Sequence, residues 1–376
     1  MNDANLDDKA STQGSVSNPL PTPEPMPNIS FYHRERELRL ESSSACLENY
    51  NKYLNSERRS EVVDYLPIKL DIENVSRCNF RCKMCQVSEW HKGMRADDMT
   101  VKDFKQLVDE QIGLVEIKLQ GMGEPLLAGD DLFEMIRYAR ERHIWVRSVT
   151  NASLLHLKNN HKKFIDSGVN ELQVSIDGAD KETFEAIRGG SVFEKVKENC
   201  KLLNGYCDEI GAERTKMWTV VQKTNIHQLF ELVDFAEEVG FKSQVFSLDL
   251  TDWGQSEWRE THDRENQVSG LDPETGWKLV EEGKKRNIKV SFWNIADKYD
   301  WRDPDKLCAW PFERAYVSSD KRIVPCCMIA NPDVFEIGDM SGGFTELWQS
   351  EAYESFRRDH INGNIPEACK GCYRSE

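Results

Sequence analysis

Three cysteines packed into one short stretch constrain this chain more than any other feature. In Arg77-Cys78-Asn79-Phe80-Arg81-Cys82-Lys83-Met84-Cys85-Gln86 they stand as C-x3-C-x2-C, just behind the apolar run Leu66–Ile72. Thiolates are ordinary ligands of iron–sulfur clusters, and close spacing lets one loop wrap a single cluster. A four-iron cube held by three thiolates leaves one iron open to a substrate or cofactor. Two plainer readings compete: a zinc site short of one ligand, with His91 outside the usual spacing, or three unrelated buried thiols. A structural zinc closes with four local ligands, so the spacing favours the cluster.

Composition narrows the setting. No apolar run approaches the ~20 residues that span a bilayer, and the first residues lack the basic-then-apolar layout of a signal peptide. The expected location is cytoplasmic, without a membrane partner. Eleven cysteines then read as metal ligands or free thiols, because the cytosol is reducing. A net charge of −16 repels polyanions and argues against nucleic acid as a partner.

The order of elements points to an α/β fold. Residues 1–28 carry prolines at 19, 21, 23, 25 and 27 and read as a disordered or extended tail. Residues 29–65 read as one or two lead-in helices. From 66 to 250, strand-like runs alternate with amphipathic helices. The strands are Ile68–Ile72, Val115–Gln120, Ile144–Thr150, Glu171–Ile176, Met217–Val221 and Gln244–Leu248. Helices are expected over Val101–Gln111, Leu132–Arg142, Leu155–Asp166, Phe193–Leu203 and His227–Val239. Repeated βα units build a parallel sheet whose sites lie at the C-terminal strand ends. Residues 251–305 break the rhythm as an acidic, tryptophan-rich linker with one strand, Lys289–Phe292, and 306–376 form a separate cysteine-bearing unit.

Later strand ends carry polar and glycine motifs in a consistent order. Gly121, Gly123 and Glu124 follow the second strand, Thr150-Asn151-Ala152 the third, and Ser175-Ile176-Asp177-Gly178 the fourth. With the cysteine loop before them, these motifs resemble the radical S-adenosylmethionine (SAM) enzymes. That resemblance implies a partial (β/α)6 TIM-like barrel with a [4Fe–4S] cluster on Cys78, Cys82 and Cys85. Gly121, Gly123, Glu124, Asn151, Ser175, Asp177 and Arg188 would then line the SAM pocket, with Asn225 a weaker member. Met122 and Ala152 depart from the family's glycines. The plain alternatives are an ordinary βα turn at Gly121–Glu124, a turn at Asp177-Gly178 and a surface helix cap at Arg188.

Four more cysteines close the chain as Cys308-x17-Cys326 and Cys369-x2-Cys372. A hairpin around Ser319-Asp320-Lys321 and a helix over Thr345–Arg358 are expected between them. The spacing resembles a shortened SPASM, or twitch, domain with one auxiliary [4Fe–4S] cluster. Cys326 fits it better than Cys327, and a four-cysteine zinc site is the alternative.

The resemblance implies reductive cleavage of SAM to a 5′-deoxyadenosyl radical that abstracts a substrate hydrogen atom. An electron donor such as flavodoxin or ferredoxin would feed it. With the auxiliary cluster as acceptor, the net reaction is a two-electron oxidation of a peptide, or of a sugar or aminocyclitol. One alternative is epimerisation with Cys327, Cys207 or Cys200 as hydrogen donor. Another is a non-catalytic iron–sulfur or zinc protein. The tryptophans of 249–301 either hold a cationic or sugar-like ligand or pack against the second domain.

Overall fold

A computed structural model of the chain describes residues 19–56, 59–296 and 298–374. Ten strands form one sheet: β1 (Lys69–Ile72), β2 (Glu116–Leu119), β3 (Trp145–Thr150), β4 (Glu171–Ser175), β5 (Thr215–Val220), β6 (Ser243–Ser247), β7 (Lys289–Trp293), β8 (Arg314–Val317), β9 (Arg322–Val324) and β10 (Gly338–Asp339). The order is β10-β9-β8-β1-β2-β3-β4-β5-β6-β7. The run from β8 through β1 to β7 is parallel throughout. The sheet therefore exceeds the six-stranded barrel core at both ends. The linker strand joins β6 as β7, and the first strand of the C-terminal unit joins β1 as β8, in register Lys69 with Arg314. Lys298, beyond β7, comes within electrostatic reach of Arg314 on β8, so the two flanks curl toward each other.

Why the sheet curls around a polar interior is visible in its alternation. Strands buried on both faces usually read as continuous apolar runs. Here Asp71, Lys118, Arg147, Gln173 and Lys216 alternate with apolar neighbours, and side chains two apart share a face. Ile117, Val146, Leu172 and Met217 pack outward into the main core beneath the helices. The inward set pairs with itself: Arg147 reaches Glu116 at 3.3 Å and Glu171 at 3.0 Å, and Lys216 reaches Glu171 at 2.9 Å. Against the cost of burial, Lys69 and Arg147 hold the Glu116 carboxyl down to about 2. Losing one partner of such a pair leaves a buried charge, at a cost of about 3–5 kcal/mol.

Residues 19–28 belong to the fold, which shortens the expected free tail from its C-terminal side. They run extended across the N-terminal end of the barrel. Pro21 accepts a hydrogen bond from Phe292 on β7, Met26 N donates to Glu171, and Lys216 Nζ donates to the Glu24 carbonyl. The part of that expectation on residues 1–18 lies outside the described residues. The lead-in region forms α1 (Ile29–Ser42) and α2 (Ser44–Asn55). Tyr32 on α1 donates to Glu116 Oε2 at 3.0 Å, so α1 also covers the barrel floor.

Helix boundaries follow local chemistry. In α3 (Val101–Glu110), Thr100 caps the first turn through Asp103 N, and Phe104, Leu107 and Val108 form the buried face. The helix expected over Leu155–Asp166 starts only at Asn160, because Lys158 and Asn159 are left-handed. The helix expected over Thr345–Arg358 is two helices, Phe344–Trp348 and Glu351–Asn362, divided where Ser350 is extended. Among the described residues, no helix is long and apolar enough to cross a membrane.

Candidate cluster sites at the barrel mouth

The cysteine loop leaves the C-terminal end of β1 and folds back over it. Arg81–Cys82 pairs antiparallel with Arg188–Gly189, which sets Cys82 opposite Arg188. Cys78 Sγ accepts the Phe80 N–H at 3.4 Å and faces the Asn151 amide at 3.8 Å. Asn151 also donates to Asn79, so the end of β3 fixes the start of the loop. Burial pushes all three thiols up, Cys78 to about 12, and Arg188 opposes the shift at each. Thiolates, not thiols, ligate metals, so loading a cluster here is coupled to deprotonation.

The glycine motif has a packing reason of its own. A Cβ on Gly123 would lie 2.3 Å from the Val75 carbonyl oxygen and 2.4 Å from that of Arg77. One on Gly121 would meet the Glu73 side chain. Glu124 N donates to Arg77 O, so the turn after β2 lies directly on the base of the cysteine loop. The Glu124 carboxylate accepts from Asn151 N, Thr150 Oγ1 and Leu126 N. Burial outweighs these donors and raises it to about 7. Glu124 therefore ties the β2 and β3 ends together.

Asp177 and Arg188 form a buried ion pair at 2.7 Å, so the reading of Asp177 as a mere turn does not describe its side chain. Asp177 also accepts from Val220 N, while Asn225 donates to the carbonyls of Asp177 and Val220. Arg188 does cap helix Lys181–Ile187 through its backbone, but it is buried rather than on the surface, and its guanidinium is taken by Asp177, although its Nε lacks a partner. Ser175 stays partly exposed at the end of β4. One organising residue escaped the sequence reading. Buried Glu73 accepts from Met122 N and Ser319 N and pairs with Arg95 at 2.7 Å. The only signal for it was its place two residues beyond Asp71.

Cys308, Cys326, Cys369 and Cys372 are brought together from 65 residues of chain onto one cavity of about 840 Å³. Cys308 precedes the short helix into β8, Cys326 follows β9, and Cys369 and Cys372 sit in the turn Glu367–Cys372. The Tyr373 hydroxyl joins Cys308 N at 3.3 Å to His360 Nδ1 at 2.7 Å. Tyr299 N donates to Cys372 O, so the linker clasps the terminal pair. Among the described residues, no group of three or more His, Cys, Asp or Glu closes around a single metal ion. All four cysteines line one open volume.

A small apolar core lies between the two cysteine sets. Val87, Met122, Tyr316, Val324 and Ile329 build it, with Cys78 and Cys85 packed on it alongside Cys326 and Cys327. Asn331 Nδ2 donates to Gln86 at 2.7 Å and Trp253 Nε1 to Met84 O at 3.2 Å, which ties the auxiliary loop and the linker to the first site. Cys200 and Cys207 are buried in helix Phe193–Glu209 within the main core. Cys327 is partly exposed, and its charged neighbours are Asp71, Lys118, Arg314 and Arg147, which places it over the barrel interior.

Residues 74–236 match the radical SAM superfamily and residues 308–373 match the SPASM iron–sulfur cluster-binding domain. The chain is a radical SAM enzyme with a SPASM domain. It is 27% identical over 314 residues to the mycofactocin maturase MftC of Mycolicibacterium smegmatis, across 81% of this chain and 75% of that protein. It is 21% identical to the PqqA peptide cyclase of Bradyrhizobium diazoefficiens, across 85% and 82%. Among solved structures, Streptococcus suis SuiB bound to precursor peptide SuiA gives a TM-score of 0.62 at 16% identity, covering 83% of this chain and 71% of that one. That last likeness is one of fold.

The two domains call for a 4Fe–4S cluster with SAM at the first set and an auxiliary cluster at the second. The side chains fit. Three thiols on one loop leave one iron of a cube unclaimed, and Gln120 Oε1, Arg188 Nε and Gln222 Nε2 are buried polar atoms without partners around the same mouth. Natural folds pair nearly all such atoms, so unpaired ones at strand ends suit a polar ligand.

Proposed function

We propose that this radical SAM enzyme modifies a peptide by two-electron oxidation, with the second cysteine set as the route for the departing electron. When bound, the first cluster and SAM supply a 5′-deoxyadenosyl radical that takes one hydrogen atom from a C–H bond. What the chain adds is placement and exclusion. Cys78, Cys82 and Cys85 would hold the first cluster, with Arg188 and Asn151 stabilising charge on its sulfurs. Gly121 to Glu124, Ser175 and Asp177 would border the methionyl and ribose groups. The ion-paired floor and residues 19–28 close the far end of the barrel against water. The observation that carries the oxidative reading is the four-thiol cavity joined to the first loop by a shared apolar core. Fully ligated irons cannot easily bind substrate, which suits them to electron transfer.

The peptide class is taken from relatives whose names specify peptide substrates or precursors. The test is to incubate the reconstituted enzyme with a precursor peptide encoded beside its gene. Product lighter by two hydrogens supports the reading, with Cys369→Ala lowering its rate at least tenfold. Wild-type rates in that variant would end it. A second reading is favoured by the position of Cys327, which of the three donor candidates alone faces the barrel interior. In that case the product would keep the substrate's mass in ordinary water and gain one deuterium on carbon in deuterated water, and Cys327→Ala would abolish it.

A further inference from the structure

The cavity beside the auxiliary thiols is far larger than one cube of four irons and four sulfides, and its size falls in the range of ligand pockets. Its opposite wall comes from the chain beyond β6, where Asp249, Asp252 and Asp263 all line the space. Two of them are occupied. Asp249 accepts the Ile295 N–H, and Asp252 pairs with Arg259, whose Nε lies 2.9 Å away. Asp263 is different. It is 4% exposed and its Oδ1 has no partner. Burial and the Asp252 charge push the carboxyl up, while the Trp258 indole N–H, itself short of a full hydrogen bond, faces it and with Arg259 draws it down.

A carboxylate buried for structure alone is normally paired, because an unmatched one costs several kcal/mol, roughly 3–5. This one closes a π-helical turn, Arg259–Asp263, a feature frequent at functional sites. Tyr299 and Trp310 line the same cavity, and aromatic faces favour cations. Four thiolates on the facing wall would add further negative charge and repel an anionic group.

We infer that this wall is a subsite for a cationic group of the substrate, an ammonium or guanidinium, with Asp263 as its anchor. The group can come from a basic side chain or from a free amino terminus. The inference rests on the reading that a peptide substrate enters this cavity, and it adds the chemistry the peptide must carry there.

Binding of small probes tests it without turnover. The full chain, reconstituted with both clusters under anaerobic conditions, is titrated calorimetrically with N-acetyl-lysinamide, glycinamide and N-acetyl-norleucinamide. The expected result is that lysinamide or glycinamide binds at least tenfold tighter than the neutral isostere. Preference for lysinamide assigns the site to a side chain, and preference for glycinamide to an amino terminus. Asp263→Asn should erase the difference with iron content unchanged, and Asp263→Glu should restore part of it. If Asp263→Asn fails to load iron, the Glu variant and the wild-type discrimination still decide. Equal binding of norleucinamide and both amines, or wild-type discrimination in Asp263→Asn, overturns the inference. Release of 5′-deoxyadenosine is measured separately, so loss of this subsite leaves the proposed reaction standing.

Discussion

The two cysteine sets solve one problem in opposite ways. The first is local: three thiols on one loop, held by polar contacts from Asn151 and Arg188 and by the close backbone approach at Gly123. The second is assembled: four thiols from three separate segments, locked by Tyr373, His360 and the Tyr299 clasp. On the proposed assignment, three ligands in a polar mouth would leave one iron for chemistry, and four ligands would close each iron and leave electron transfer. The comparison teaches that ligand number and surroundings divide the labour between two sites of the same thiol chemistry.

That division can be broken from the first side. Arg188→Met removes one partner of a buried ion pair at 2.7 Å. It should cost about 3–5 kcal/mol and weaken SAM binding, with the auxiliary iron retained. Chemical denaturation and iron analysis check both parts; unchanged stability would show that the pair does not hold the mouth together.

The second side is sharpened by pH. Burial holds His360 down to about 4, against about 6.5 in an unfolded chain. Between those values the unfolded chain takes up a proton that the folded one refuses, so stability falls as pH drops from 6.5 to 4. The slope is about 1.4 kcal/mol per pH unit, or about 3 kcal/mol across the window. His360→Gln should be flatter than wild type over that range in denaturant titrations. Parallel curves would remove His360 from the account. The smallest effect is expected at Gly123→Ala, where a methyl group meets two backbone carbonyls. About 1–3 kcal/mol of overpacking cost should appear as a lowered Tm. An unshifted Tm would contradict the close approach there.

Much of this was legible because it is local. The alternation Lys69-Leu70-Asp71-Ile72 and Glu116-Ile117-Lys118-Leu119 marks strands with one polar face, and each ends within a residue or two of its expected bound. The three loop cysteines were legible as a set because their spacing is local. The rest depended on distant partners. Nothing near Arg188 in sequence points to Asp177, because a buried ion pair is set by tertiary packing. Lys289–Phe292 read as a linker strand, since its neighbour β6 lies more than 40 residues away. The proline-rich Pro21–Pro27 reads as free chain until the carbonyls it offers to Phe292, Lys216 and Lys289 are seen.

The most direct test of two sites with different work is to count iron and 5′-deoxyadenosine together after anaerobic reconstitution with SAM and a reductant. Wild type should hold about eight irons per chain, two four-iron cubes, and release 5′-deoxyadenosine. With Cys78, Cys82 and Cys85 replaced by alanine, about four irons should remain and release should stop. With Cys308, Cys326, Cys369 and Cys372 replaced, about four irons should also remain, but release should continue. Release from the first variant, or full iron in the second, would contradict the account.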